Sequence, residues 1–192
     1  MATQPKPRLT AEQYLEIERK AEYKSEYFNG EMFAMSGGTL AHSRIATNIG
    51  GALYSQLRGG PCAVQSSDLR VLVKPSGLYT YPDLSVVCGE PQLLDRSRDT
   101  LVNPTLIVEV LSPSTEAYDR GRKFEHYRSI DSLRQYLLVS SDRIRVDLFT
   151  RQADGRWLLA SAGAVEERVA LDSIDCSLLV ADVYEKVDLS AA

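Results

Sequence analysis

The chain has 192 residues, 44% of them hydrophobic and 25% charged, with a net charge of −4. That length suits a single domain that buries its own core, and the composition excludes disordered, collagen-like and mucin-like classes. The acidic balance excludes a protein held to nucleic acid by overall charge, so any contact with DNA or RNA needs a local basic patch or bound metal ions.

The opening MATQPKPRL is polar and broken by proline. It reads as neither signal peptide nor anchor, and residues 1–8 are expected to be flexible. No apolar run approaches the ~18 residues that span a bilayer, so no membrane role is expected. Cys62, Cys88 and Cys176 are odd in number and share no CxxC spacing. This argues against a disulfide framework and against a cysteine-held zinc, and it fits a reducing cytoplasm.

In chain order, Thr10 to Ala21 opens on an N-cap and reads as a short amphipathic helix. Asn29-Gly30 between apolar pairs signals a hairpin. Leu40 to Leu57 is predicted helical, with Ile45, Ile49, Leu53 and Leu57 as its buried stripe. CAVQSSDLRVLV and YTYPDLSVVCG read as two strands joined by the turn Lys74-Pro75-Ser76-Gly77. Glu90 to Asn103 reads as a surface loop. TLIVEVL is apolar enough for a central strand covered on both faces. A helix is expected within Thr115 to Ile130, then the strand pair RQYLLVSS and RIRVDLFTRQ. Ala153-Asp154-Gly155 makes a tight turn into WLLASAG, and CSLLVADVYEKV includes a short last helix. A mixed sheet flanked by helices, of the α/β (α+β) class, is the natural packing.

Within that frame Glu109 is out of place, because Leu106, Ile107, Val108, Val110 and Leu111 all favour a dry interior. A buried carboxylate without a partner costs several kcal/mol, so Glu109 needs a cation, a metal ion or a proton. Asp83, at the start of LSVVC, supplies a second acid, and Asp68 is a possible third, within a residue or two of the position opposite Asp83 if the Lys74–Gly77 turn pairs the two strands directly. The plain alternatives are strand-entry punctuation for Asp83 and a salt bridge to Arg70 for Asp68. Asp119, Lys123 and Tyr127 are four apart and share a helical stripe, from which the lysine can reach back to Glu109. Two carboxylates and a lysine are what metal-assisted phosphodiester cleavage needs, with magnesium or manganese as the hard ion.

At this point the chain resembles a known group. Pro82-Asp83, Glu109 and a lysine are similar to the PD-(D/E)XK nuclease superfamily. SEYFNGEM, AHSRIATNIG, SSDLRV, TYPDLSVVCG, LIVEVLSPST, the Asp119-Lys123-Tyr127 stripe and RQYLLV more closely resemble the Uma-two family of restriction endonuclease-like proteins. The resemblance implies a restriction-endonuclease-like mixed sheet, metal ligation by Asp83 and Glu109, and Lys123 as the superfamily lysine moved onto a helix. The usual lysine position, two residues after the acid, is Leu111 here. Glu31 and His42 also match family positions, Glu31 as an added carboxylate and His42 as an added base or phosphate contact.

The leading expectation is therefore a cytoplasmic Mg2+- or Mn2+-dependent endonuclease that hydrolyses DNA. A homodimer is expected, since cutting both strands favours two symmetric sites. The alternatives are an inactive nuclease-fold binding or regulatory module, in which Lys123 only neutralises Glu109, and a nuclease for RNA or branched DNA.

Overall fold

A computed structural model describes residues 8–189. Most of the expected flexible start, residues 1–7, lies outside the described residues. Helix α1 (Ala11–Glu18) opens on a capping box in which Thr10 and Gln13 satisfy each other's backbone N–H groups. Strands β1 (Ser25–Phe28) and β2 (Glu31–Ala34) form the hairpin, turning through Asn29 and Gly30 at φ 50° and 86°. Both angles are positive, as the tight two-residue turn requires. Helix α2 (Leu40–Leu57) is capped by Thr39 and buries the predicted isoleucine and leucine stripe.

The two long strands predicted before the 90–103 connection each break in two. Strands β3 (Cys62–Ser66) and β4 (Arg70–Val73) belong to different sheets, as do β5 (Leu78–Thr80) and β6 (Leu84–Cys88). The Lys74–Gly77 turn joins β4 to β5, while β3 pairs with β6. Pro82 has no N–H to give a ladder, so the chain leaves one sheet and enters the other at Tyr81–Asp83. The predicted surface loop carries a further strand, β7 (Thr100–Leu101), parallel to β4, and Leu101 is fully buried.

Strand β8 (Leu106–Leu111) is buried throughout. It runs parallel to β9 (Gln135–Ser140), and β10 (Val146–Arg151) and β11 (Trp157–Ala162) follow antiparallel. The helix expected after β8 comes in three joined pieces: α3 (Glu116–Tyr118), a π-helical turn (Asp119–Lys123) and α4 (Phe124–Tyr127). Strands β12 (Arg168–Leu171) and β13 (Cys176–Leu179) form a small ribbon before α5 (Val180–Val183). Among the described residues, one sheet has the order β2-β1-β5-β4-β7, and a larger one β11-β10-β9-β8-β6-β3.

Alternation along β8 decides what each face meets. Leu106, Val108 and Val110 join the core under α2, while Ile107 and Leu111 face the second core, shared with β4, β5 and Tyr127. Glu109 lies on that second face, between the two sheets.

The cysteine reading is corrected: Cys62 and Cys88 are disulfide-bonded, and Cys176 is free and buried. The β3–β6 register sets Cys62 directly opposite Cys88, a proximity that a separation of 26 residues does not reveal.

Candidate active site

Four elements deliver acids to one place. Register carries the first two. Leu84 pairs with Val108, so Asp83 follows one step on, opposite Glu109. The Asp83 Oδ2 accepts the Val110 N–H at 2.7 Å and lies 3.2 Å from the His42 Nε2 in the first turn of α2. That hydrogen bond lifts the His42 pKa above 6.5, against the burial that lowers it.

Lys123 lies at the centre of the cluster. Its Nζ lies 2.9 Å from Glu109 Oε1, 3.2 Å from Glu26 Oε1 and 3.4 Å from Asp119 Oδ1. The π-helical turn presents Asp119 and Lys123 together on the buried side of the helix, a local widening often found at functional sites. Tyr127 OH donates to Glu109 Oε1 at 2.8 Å. Glu26 also accepts from Thr80 Oγ1 at 2.5 Å and from Tyr118 OH at 3.1 Å.

The charges do not balance. Glu26, Asp83, Glu109 and Asp119 face one lysine and one histidine. Burial pushes the Glu109 pKa from 4.5 up to about 8; Lys123 opposes this, while Asp119 and Asp83 add to it. Burial likewise raises Asp119, with Lys123 opposing. Burial works against the Lys123 ammonium too, but Glu109, Glu26 and Asp119 outweigh it and hold its pKa well above 10.5. The lysine has more carboxylate than it needs, and Glu109 too little cation. A buried site in that state takes up a proton or a further cation.

The cluster meets solvent most at its Asp83 end. Glu109, Asp119 and Lys123 are buried, whereas the Asp83 and His42 side chains are 18% and 22% exposed. They line a cleft of about 660 Å³ together with Lys24, Gly38, Ser66, Ser67 and Tyr81. Gly38 backs the imidazole so closely that a Cβ there would lie 2.7 Å from His42 Nδ1. Gly38→Ala is therefore expected to swing the ring off Asp83 and return its pKa toward 6.5, read by an NMR titration of His42. An unchanged titration would show that the ring needs no such backing.

The other sequence candidates lie elsewhere. Asp68 is not brought to the cluster: its side chain is 84% exposed and pairs with Lys24 at 2.6 Å. Arg70 meets neither Asp68 nor Asp83, but is buried against Tyr81, Thr100 and Asp99. Glu31 stands exposed at the start of β2. The acid that the hairpin does deliver is Glu26, which sequence reasoning passed over. The signal was there: strand alternation puts Glu26 on the face of Phe28, which packs into the second core.

Hard oxygen donors in excess over cations match magnesium or manganese in type. Among the described residues no three His, Cys, Asp or Glu side chains surround a point that an ion would fill. Lys123 occupies the middle of the acid cluster instead.

The chain is 42% identical over 181 residues to the Synechocystis protein slr1290, spanning 94% of this chain and 93% of that one. It is 36% identical over 151 residues to sll1609 of the same strain, spanning 79% and 85%. Both are described only as uncharacterized. A crystal structure of "a putative nuclease belonging to DUF820" from Anabaena variabilis superposes with a TM-score of 0.75 at 18% identity, over 92% of this chain and 97% of that one. The likeness shows a shared fold. With residues 11–181 also matched by the model described as "Putative restriction endonuclease", the chain belongs to the Uma2 family.

Proposed function

We propose that this protein is a divalent-metal-dependent endonuclease that hydrolyses phosphodiester bonds in DNA. The observation that carries the reading is the buried Lys123 ammonium 2.9 Å from Glu109, beside an Asp83 that reaches the cleft. The family description and the nuclease fold support the reaction class. Asp83 and Glu109 would hold the ion, with Glu26 or Asp119 able to add an oxygen. A magnesium or manganese ion there would supply Lewis acidity to the phosphoryl oxygens.

The chain's own groups do the rest. Val110 N–H and His42 Nε2 fix the Asp83 carboxylate, and the Tyr127 hydroxyl fixes that of Glu109. Lys123 stays charged at any working pH and is suited to offset the negative charge that builds on the phosphate. With a net charge of −4 the protein has no global pull on DNA, so the ion would also provide part of the attraction. The described residues serve as one nuclease-like unit, acting as a homodimer on duplex substrates.

Purified protein is expected to nick or cut plasmid with Mg2+ or Mn2+. Glu109→Ala and Lys123→Ala should each lower the rate by about 100-fold or more. Cleavage that survives both substitutions, or that never appears with either metal, removes the mechanism.

One observation favours a second reading, a binding or regulatory module. The Glu109 carboxylate already has a lysine and a tyrosine, with no three-ligand group around them. Calorimetry separates the two: a module without a metal site gives no magnesium or manganese heat that depends on Glu109.

A further inference from the structure

Strand β11 forms an open edge of the larger sheet. It pairs with β10 on one side, and among the described residues no strand lies on the other. Residues Leu158 to Ser161 are exposed in succession, Leu158 at 59% and Leu159 at 46%. No charge or proline interrupts Trp157–Ala162. Such an edge pairs with another strand unless something blocks it, and along Trp157–Ala162 no charge or proline does.

The ladder identifies which backbone groups are left over. Arg151 N–H points to Arg134 in the β9 direction, and Arg145 likewise accepts from Ser140. The odd-numbered residues of β10 therefore turn toward β9, and Val146, Leu148 and Thr150 bond across to Ala162, Ala160 and Leu158. The N–H and C=O groups of Trp157, Leu159 and Ser161 consequently point outward. They have the spacing for a second antiparallel ladder.

We propose that two copies of the chain pair through β11 about a two-fold axis at Leu159, joining their larger sheets into one. This rests on the dimeric part of the reading above and names the surface. Leu159 then meets its own copy, and Trp157 exchanges hydrogen bonds with Ser161 of the partner subunit. On the other face Leu158 lies beside Ala160 of the partner subunit.

Charge selects a second copy as the occupant. The Glu167 carboxylate is anchored on Gly163 N–H and Ala164 N–H, just beyond the end of β11. Arg156, 85% exposed in its side chain, stands just before the other end. Antiparallel self-pairing brings Arg156 of each copy beside Glu167 of the partner subunit, at both ends, where the guanidinium, already 2.6 Å from its own Asp154, lies between the two carboxylates. The remaining exposed edge of the smaller sheet, β2, is shorter and begins with a charge at Glu31.

Sedimentation equilibrium on the full chain tests this. The wild type is expected to be a dimer. Leu159→Lys, an exposed position that places like charges on the axis, should weaken dimerisation on the order of 100-fold while leaving the melting temperature nearly unchanged. Arg156→Glu should weaken it about tenfold, and adding Glu167→Arg should restore it. A wild type that stays monomeric at its highest soluble concentration overturns the proposal. So does a dimer untouched by Leu159→Lys, which would place the contact elsewhere. A monomer that still cuts DNA would sink the interface alone, and an inactive β11 dimer would sink the nuclease reading alone.

Discussion

Lys123→Met is expected to destabilise the fold by about 3–5 kcal/mol at pH 7, the usual cost of stripping one partner from a buried ion pair. The residue is isosteric enough that little packing is lost, so the loss measures charge. Lys123 faces Glu109, Glu26 and Asp119 within 3.4 Å. Without it, three acids share one pocket, and burial already favours the neutral forms of Glu109 and Asp119. Chemical denaturation of the variant should recover part of the loss as the pH is lowered toward 5, because protons then replace the ammonium. Lys123→Arg keeps the charge, and should keep more of the stability than methionine while failing to restore cleavage if the position of the charge matters. Equal stability of wild type and Lys123→Met would mean that the acids are not ionised beside the lysine at all.

Glu109 was visible in the sequence because charge and local pattern contradict each other within six residues of β8. Lys123 was visible through its helical spacing from Asp119 and Tyr127, together with the resemblance to the family. Their meeting depends on a fold-back that spacing permits but does not compel, and the structure sets it at 2.9 Å. Glu26 was hidden by its neighbours. The Asn29-Gly30 turn draws attention to Glu31 as the hairpin acid, yet the buried member lies on the other side of the turn, where Glu26 shares a face with Phe28.

The breaks in the two long strands were not legible, for a physical reason. The apolar alternation changes phase at each bend, from Val64 to Leu69 and Val71 and from Tyr79 and Tyr81 to Leu84 and Val86, and Pro82 marks the second, but such a shift reads equally as a bulge within one strand. The bend follows from two sheets competing for one chain, and it decides where Asp83 stands. The disulfide is of the same kind. Cys62 faces Cys88 only because β3 and β6 pair with that register. Non-local pairing is where single-sequence reasoning loses contact with the molecule.

The Glu109 proton supplies the second large effect. Its folded pKa of about 8 lies above the ordinary 4.5, so the folded state holds a proton that the unfolded chain releases. The associated stability is fully present below pH 4.5 and is lost as the pH rises through 8. At full size that is on the order of 5 kcal/mol across the window, at 1.36 kcal/mol per unit. Glu109→Gln carries the neutral shape at every pH. The amide oxygen can still accept from Tyr127, and Lys123 keeps Glu26 and Asp119. The variant should therefore match the wild type near pH 5 and exceed it near pH 9 by about 3–5 kcal/mol, or on the order of 10 °C in melting temperature. The gain in stability would accompany a loss of function, as expected where a site holds charge against its surroundings. Parallel stability curves for the two proteins from pH 5 to 9 would place the proton elsewhere. Asp119, also raised by burial, would then be the group to replace next.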